Sequence, residues 1–320
     1  MTKISLVISV YNEAEVLGQF WEETSSALSQ IPNEDFEVIF VNDGSSDASQ
    51  DLINSFQNSN NATIGCVEFS RNFGHEAAMI AGIDHATGEA IICMDADLQH
   101  PPSCVAEMIQ SFRNGVDIVT MVRESREDGG ALKKGFSKWF YRMLNNLSDF
   151  HFDENASDFF LISDRVADIL RNNFRERNRF LRGYIQIIGF DKSTLTYTAK
   201  KRPAGESKYA LSNLFNLANI AIFSFSRKPL YVAMVMAILF MVIAIVLTTY
   251  TLGVFIWGES PPPGYTTIIA FFSVAFAILF FVLAVQSLYL GRGVEEIKER
   301  PLYLVKNAKR ASQKPKEPEA

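Results

Sequence analysis

Apolar and polar stretches alternate along the first two thirds of the chain with the periods of strands and helices. Solidly apolar, β-branched runs predict strands at residues 4–10, 36–41, 64–69, 90–94 and 117–122. Amphipathic or small-residue segments between them predict helices, most clearly at residues 13–29 and 77–86. Apolar strands that alternate with helices are typical of a parallel, doubly wound α/β sheet. We therefore predict an α/β domain over residues 1–208.

The last third of the chain has a different pattern. Residues 229–258 carry no charged side chain, and neither do residues 260–291. Each block exceeds the roughly 20 apolar residues that cross a bilayer as a helix. Two buried core helices would need a further domain to cover them, and only a short tail remains. We therefore predict a transmembrane hairpin. Its first helix, extracytoplasmic turn and second helix are expected at residues 229–257, 258–265 and 266–290.

The charges that flank the hairpin predict its orientation. Arg227 and Lys228 precede it and eight basic residues follow it, whereas the turn carries only Glu259. Positive charge on the cytoplasmic side places both termini and the α/β domain in the cytoplasm, at a bacterial inner membrane. The basic tail, residues 291–320, is expected to contact anionic membrane lipids. Residues 209–228 have apolar residues at helical spacing and predict an amphipathic helix in the interface; an ordinary packing helix is the alternative.

Composition narrows the range of functions. Hydrophobic residues make up 48% of the chain and charged residues 21%, which excludes disorder for most of it. The net charge of -6 argues against a general nucleic-acid binder. The three cysteines are scattered through apolar stretches and predict neither a disulfide framework nor a zinc site. The four histidines are also too scattered to predict a metal site.

Polar residues collect where the predicted strands end. In chain order, the ends carry Asn12 and Glu13, Asp43, Arg71 and Asn72, Asp95 and Asp97, and Arg123. In a doubly wound sheet, ligands bind beyond the carboxyl ends of the strands, so this rim is the candidate active site. No G-x-G-x-x-G sequence follows any of the predicted strands, which disfavours a dinucleotide cofactor.

The pair of aspartates after the fourth strand predicts a metal site. Side chains two residues apart in an extended chain point the same way, so Asp95 and Asp97 can share one divalent cation. Mg²⁺ and Mn²⁺ prefer such oxygen ligands, and either ion would neutralise a diphosphate leaving group. Surface turns often contain this pattern as well. Here it follows a buried strand and precedes the sequence LQHPP, which favours the functional interpretation.

Five motifs together resemble a known family. They are VISVYNE at 7–13, VNDGSSD at 41–47, RNFGH at 71–75, MDADLQHPP at 94–102 and GESKY at 205–209. Followed by a transmembrane pair, they resemble the family-2 glycosyltransferases of GT-A fold. Within that family the chain looks most like polyisoprenyl-phosphate glycosyltransferases, such as bacterial undecaprenyl-phosphate glucosyltransferases and dolichyl-phosphate mannose synthase. The resemblance extends to about residue 305. It is specific for fold and reaction but weak for the sugar.

The resemblance implies a nucleotide-sugar site and a metal site. The residues implied for the nucleotide sugar are Tyr11, Glu13, Asp43, Asp95, Arg202 and Lys208. Those implied for Mg²⁺ or Mn²⁺ are Asp95, Asp97 and Gln99. Two residues depart from the family pattern, since Ser9 replaces a usual proline and Asn42 replaces a frequent aspartate. Asp43 is retained, so we expect base recognition to be preserved.

The acceptor side of the site is predicted from the resemblance and from charge. Asp158 matches the family's acidic residue near the acceptor and, with Asp97, is the predicted catalytic residue. The residues predicted to bind the lipid phosphate are Arg123, Arg126, Lys134, Arg182 and Ser207. A lipid monophosphate has a second pKa of about 6 and is already nucleophilic at neutral pH. Asp158 is therefore expected to orient the acceptor more than to abstract a proton.

The sequence thus predicts an inverting, metal-dependent transfer of one sugar to a lipid at the cytoplasmic membrane face. We expect the donor to be UDP-linked, the sugar to be glucose and the acceptor to be undecaprenyl or another polyprenyl phosphate. A homo-oligomer is compatible with the hairpin. One alternative is a glycolipid synthase with a hydroxyl acceptor, in which Asp158 would be a true base. Another is a non-catalytic scaffold subunit of an export complex.

Overall fold

The computed structural model describes residues 2–58, 61–123, 156–176, 181–198, 228–257 and 264–311. The chain divides into two compact units. The first unit comprises Met1–Tyr141, Phe152–Leu214 and Pro301–Ala320, and the second comprises Arg142–His151 and Phe215–Arg300. The chain therefore passes from the first unit into the second and back twice.

The first unit is built on an eight-stranded sheet. Its strands are β1 (Thr2–Val10), β2 (Glu34–Asn42), β3 (Ala62–Phe69), β4 (Ala90–Asp95), β5 (Ile118–Arg123), β6 (Ala156–Ser163), β7 (Lys192–Tyr197) and β8 (Val305–Lys309). The described helices of this unit are α1 (Ala14–Ser29), α2 (Ser49–Ser55), α3 (His75–His85), α4 (Val105–Arg113), α5 (Asp164–Asn173) and α6 (Leu181–Ile187). A 3-10 turn at Pro102–Cys104 leads into α4.

The strand order is β7-β5-β6-β4-β1-β2-β3-β8. β1 pairs in parallel with β2 and β4, β2 with β3, and β5 with β7. β6 runs antiparallel between β4 and β5, and β8 runs antiparallel along β3. The predicted α/β class with a mostly parallel sheet is confirmed. The five predicted strands and two predicted helices lie within two residues of the observed ends.

The central strands form the core because helices cover them on both faces. From Ile4 to Val10, every residue of β1 is buried, and so is all of β2 from Phe36 to Asn42. Side chains of α1 such as Phe20 pack into the same cluster of buried residues as Phe40 of β2. Burial of both faces explains why the sequences of these strands are mostly apolar and do not alternate between apolar and polar residues.

The sequence pattern predicts none of the strands β6, β7 and β8; of these, β7 is the edge strand beside β5. β6 inserts between β4 and β5 although it follows both in the chain. β8 lies in the segment expected to be a lipid-contacting tail, residues 291–320. There the chain remains helical to Ile297 and then adds Val305–Lys309 to the sheet. Residues 312–320 lie outside the described part.

The second unit contains two long helices, α7 (Lys228–Trp257) and α8 (Tyr265–Ile297). They pack together, and the rings of Phe240 and Phe271 stack with centroids 5.6 Å apart. Within the described residues, Val274–Ile297 is long and apolar enough to cross a membrane, and Leu230–Ile243 is a shorter apolar helix. The predicted amphipathic helix before α7 and the centre of the predicted turn lie outside the described residues.

Candidate active site

Three polar side chains lie side by side at the carboxyl rim of the sheet. Ser9 of β1 is the register partner of Asp95 of β4. On the other side of β4, Cys93 is opposite Phe160 of the antiparallel strand β6. Continuing that register by two residues places Asp158 opposite Asp95. Strand pairing alone therefore brings a hydroxyl and two carboxylates together across three neighbouring strands.

His75 lies against this row of side chains. It is the first residue of α3 and follows Gly74, whose φ of 98° favours glycine. Its Nδ1 lies 3.1 Å from Ser9 Oγ and 3.5 Å from Asp95 Oδ1, and its Nε2 lies 3.4 Å from Asp158 Oδ2. Ser9 Oγ in turn donates to Asp95 Oδ1 at 2.9 Å. His75 thus bridges the two carboxylates.

The charges around His75 determine its protonation. Burial alone would lower the pKa of His75, but the carboxylates of Asp95 and Asp158 outweigh it and raise that pKa to about 10. The imidazole is therefore protonated at neutral pH, and both of its nitrogens carry a hydrogen. This cation offsets part of the negative charge that collects at the rim.

Asp158 also forms an ion pair on its other side. The Arg182 guanidinium of α6 donates through Nε and Nη2 to the two carboxylate oxygens of Asp158. Burial would raise the pKa of Asp158, but Arg182 and His75 hold it well below its usual range. Glu76 fixes the start of α6 because its Oε2 accepts the Leu181 N–H at 2.9 Å. Burial and the nearby Asp158 raise the pKa of Glu76.

The Asp-Ala-Asp segment ends β4 in a tight turn. Leu98 has a φ of 63°, and Asp97 Oδ1 accepts the Gln99 N–H at 3.1 Å. His100 is 1% exposed, and its Nδ1 accepts the Asp95 N–H at 2.9 Å. Burial lowers the pKa of His100, so its imidazole is neutral and can accept this bond. His100 stacks on Phe159 with centroids 5.0 Å apart, which gives it a structural role.

The residues at this rim fit a hard divalent cation. Asp95 and Asp97 supply carboxylate oxygens, which Mg²⁺ and Mn²⁺ prefer. Single ligand atoms of His75, Asp95 and Asp158 also lie within 4.8 Å of one another. Carboxylate oxygens suit Mg²⁺ and Mn²⁺ better than an imidazole nitrogen does, so the aspartates are the better ligands. The predicted third ligand, Gln99, is held in the same turn through its backbone.

Asp43 organises the loop between β3 and α3. It is 1% exposed, and its carboxylate accepts the N–H groups of Phe73 at 2.6 Å and Gly74 at 2.9 Å. The side-chain amide of Asn72 donates to the same carboxylate at 3.0 Å. Burial raises the pKa of Asp43, although the two backbone amides oppose this. Gly44, with a φ of 65°, leaves no room for a side chain because a Cβ would lie 2.4 Å from the backbone of Arg71.

The remaining predicted residues are distributed around the same rim or lie outside the described part. Tyr11 is 40% exposed at the end of β1, and the Glu13 N–H donates to Ser49 Oγ at 3.0 Å. Arg123 ends β5, where its Nε donates to the Tyr197 hydroxyl at 2.9 Å. The predicted residues outside the described ranges are Arg126, Lys134, Arg202, Ser207 and Lys208.

Sequence reasoning missed three residues of the site. The four histidines are scattered along the sequence and predict no metal site, whereas in the structure His75 contacts both rim carboxylates. Ser9 stands out in the sequence only as a departure from proline, and the sequence prediction gives Glu76 no role. The position of His75 could have indicated its role, because the RNFGH motif directly follows the third predicted strand and therefore lies at the same rim.

Comparisons with known proteins bear on the same region. Residues 5–170 match the family described as "Glycosyl transferase family 2". The glycosyltransferase YkcC of Bacillus subtilis is 34% identical over 95% of this chain and 93% of its own length. A "prophage bactoprenol glucosyl transferase homolog" of Escherichia coli is 34% identical over 96% of this chain and 100% of its own length.

Similarity to solved structures is more distant. A glucosyl-3-phosphoglycerate synthase from Mycobacterium tuberculosis, in complex with Mn²⁺, UDP-glucose and phosphoglyceric acid, covers 69% of this chain and 78% of its own. The TM-score is 0.45 and the sequence identity 15%. At that distance the similarity says nothing about the substrate of this chain.

Proposed function

Since the chain belongs to glycosyltransferase family 2, we propose that it transfers a single glucose from UDP-glucose to undecaprenyl or another polyprenyl phosphate. The family membership makes it a glycosyltransferase, and the name of the Escherichia coli relative supports both glucose and bactoprenol. The transfer is a single displacement that inverts the anomeric carbon. The observation that carries this proposal is the pairing of Asp158 with Arg182.

The state of Asp158 favours an acceptor that is already anionic. A sugar or glycerol hydroxyl must lose a proton as it attacks, so it requires a general base whose pKa is near the working pH. Asp158 is a poor base because Arg182 and His75 hold its pKa well below the usual range. A lipid phosphate, mostly dianionic at neutral pH, needs no such base. Arg182 can also attract the lipid phosphate to the position where the acceptor must lie.

The donor half of the proposed site follows the strand ends. Tyr11, Glu13 and Asp43 are proposed to bind the uridine, with Asp43 acting through the loop that it organises. Asp95, Asp97 and Gln99 are proposed to hold Mg²⁺ or Mn²⁺, with His75 and Ser9 fixing the orientation of Asp95. A bound cation would stabilise the diphosphate leaving group. Arg202 and Lys208, outside the described residues, are proposed to contact the same diphosphate.

The path of the chain supports an integral membrane protein with both termini in the cytoplasm. The folded unit that precedes the two helices in the chain also contains the residues from Pro301 onward, so a membrane crossed by α7 would be crossed back by α8. Large apolar side chains along both helices are exposed, including Val246 at 61% and Phe280 at 66%. A bilayer would cover them, whereas a core helix of a soluble protein would already be buried. The proposed hairpin therefore crosses the membrane twice.

A comparison of acceptors tests this function. The full chain in detergent is incubated with labelled UDP-glucose, Mg²⁺ and either undecaprenyl phosphate, undecaprenol or diacylglycerol. We expect label to enter the organic phase only with the phosphate. Transfer to either alcohol at a similar rate would instead support a glycolipid synthase and a true base at Asp158. UDP-N-acetylglucosamine and UDP-galactose serve as donor controls, and faster transfer from either would contradict glucose as the sugar.

A further inference from the structure

The segment after the second apolar helix returns to the catalytic sheet beside the donor site. β8 pairs antiparallel with β3, with Cys66 opposite Lys309 and Val67 opposite Ala308. The pairing continues to the end of β3, where the Ser70 N–H donates to the Leu304 carbonyl at 2.9 Å. The segment thus extends along β3 to the start of the loop that contacts Asp43.

Tyr303 anchors this segment through both its aromatic ring and its hydroxyl group. Its ring stacks on Phe69, the last residue of β3, with centroids 5.1 Å apart and planes 14° apart. Its hydroxyl donates to Asp84 Oδ2 at 2.7 Å, and Arg175 binds the same carboxylate at 2.8 and 3.0 Å. One aromatic residue therefore joins the tail to β3, to the end of α3 and to the residues after α5.

The contacts continue from Tyr303 to the proposed nucleotide site. Phe69 packs edge-to-face on Phe73, with centroids 5.7 Å apart. The Phe73 N–H is one of the two backbone donors to Asp43, at 2.6 Å. The Arg71 guanidinium lies 4.0 Å from the centre of the Phe73 ring, on the same loop. Tyr303, Phe69 and Phe73 thus form a continuous series of ring contacts, and the backbone N–H of Phe73 connects it to the Asp43 carboxylate.

We propose that Tyr303 is a positioning residue for the donor half of the site, and that the backbone pairing of β8 with β3 holds it against Phe69. The segment holds the loop of residues 70–75 in the arrangement that binds the nucleotide. It acts mainly on donor binding, because its ring contacts end at the loop that binds Asp43, whereas they reach the Asp158–Arg182 pair only indirectly, through His75. This inference rests on the proposed function, which assigns the nucleotide to Asp43.

Binding of UDP alone tests the proposal without any transfer reaction. The dissociation constant for UDP is measured by calorimetry, with Mg²⁺, on the full chain in detergent. We expect Tyr303→Ala to raise it roughly threefold to tenfold, the effect of losing one aromatic pair. Tyr303→Phe keeps the stack and should stay close to the wild type. The matched control is Lys306→Ala, which removes an exposed ion pair between β8 and Glu68 of β3 and leaves the Tyr303 contacts intact.

Two further readouts separate positioning from a general loss of stability. Amide hydrogen exchange at Phe73 and Gly74 should be faster in Tyr303→Ala and unchanged in Lys306→Ala. The KM for UDP-glucose should rise by a larger factor than the KM for the lipid phosphate. If Tyr303→Ala does not fold, Tyr303→Leu replaces it. We then expect a smaller rise in the dissociation constant for UDP and a smaller increase in amide exchange.

The outcomes distinguish this inference from the function on which it rests. A wild type that binds UDP, with an unchanged dissociation constant and unchanged exchange in the Tyr303 variant, overturns the inference alone. The same is true if Lys306→Ala weakens UDP binding as much as Tyr303→Ala. A wild type that binds no UDP overturns the proposed function and the inference together.

Discussion

At the residue scale, the chemistry of the site depends on which side chains share the rim carboxylates. Asp158 is bound by Arg182 on one side and faces His75 on the other, so it stays ionised throughout the neutral range. Asp95 accepts a hydrogen bond from the Ser9 hydroxyl and lies 3.5 Å from His75 Nδ1. Each carboxylate therefore has a fixed orientation before any substrate arrives.

The first prediction concerns the pH dependence of Asp158→Asn. We expect kcat/KM of the wild type to rise through about pH 6, where the acceptor phosphate loses its second proton. Because the folded pKa of Asp158 lies far below that range, this rise should persist in the variant at a lower overall rate. Initial rates measured from pH 5 to 8 check it. Disappearance of the rise in Asp158→Asn would identify Asp158 as the base.

The second prediction concerns Ser9. Removing its hydroxyl in Ser9→Ala frees Asp95 to turn, so the Mg²⁺ concentration for half-maximal rate should rise by roughly tenfold. Ser5→Ala is the matched control, because Ser5 lies on the same strand but binds Glu37 and the Gly88 N–H instead. That control should keep the normal metal requirement. Equal metal requirements in wild type and Ser9→Ala would show that the hydroxyl does not orient Asp95.

At the element scale, a buried carboxylate links β1 and β2 to the segment before β4. Glu37 accepts from Ser5 Oγ at 2.6 Å, from Lys3 Nζ at 3.0 Å and from the Thr87 N–H at 2.8 Å. Burial would raise the pKa of Glu37, but these hydrogen bonds lower it below its ordinary value. A carboxylate with a lowered folded pKa stabilises the fold above its unfolded pKa, about 4.5.

The third prediction follows from the lowered folded pKa of Glu37. The stability that Glu37 contributes should be complete above about pH 5 and should decrease as the pH falls through its folded pKa. The Tm difference between wild type and Glu37→Gln should therefore be largest near neutral pH and should shrink below pH 4.5. Thermal unfolding in detergent from pH 7 to 3 measures it. A difference that stays constant across this range would contradict the lowered pKa.

The elements also show what the sequence could and could not predict. Strands buried on both faces leave a local apolar signature, so β1 to β5 were predicted with nearly correct ends. The insertion of β6 between β4 and β5 is a non-local pairing that no local pattern encodes. β8 has the sequence VKNAK and all five of its residues are exposed, so it lacks any apolar alternation. It is a strand because β3 offers an open edge.

The same distinction between local sequence patterns and non-local contacts applies to the residues of the site. Asp95, Asp97 and Asp43 were predicted because each directly follows a strong strand. His75 stands at the start of a helix whose placement depends on the loop that Asp43 organises, and sequence spacing does not give its distance from Asp158. The pairing of Arg182 with Asp158 likewise depends on the position of α6, which Glu76 fixes.

At the scale of the whole molecule, the return of the chain to the sheet determines the proposed topology. The first unit includes residues on both sides of α7 and α8, so an even number of crossings is required if the helices enter a membrane. We predict that green fluorescent protein fused to the carboxyl terminus fluoresces in bacteria. Alkaline phosphatase inserted within residues 258–265 should be active. Active phosphatase at the carboxyl terminus instead would contradict the hairpin.

The central claim is metal-dependent transfer of glucose to a lipid phosphate by the rim carboxylates. It is tested most directly by the initial rate at which label from UDP-glucose enters undecaprenyl phosphate, with Mg²⁺, with EDTA, and in Asp97→Asn. We predict lipid-phase label that EDTA abolishes and Mg²⁺ or Mn²⁺ restores, and a rate at least roughly a hundredfold lower in the variant. Transfer that continues in EDTA, or an Asp97→Asn variant as fast as the wild type, would contradict the claim.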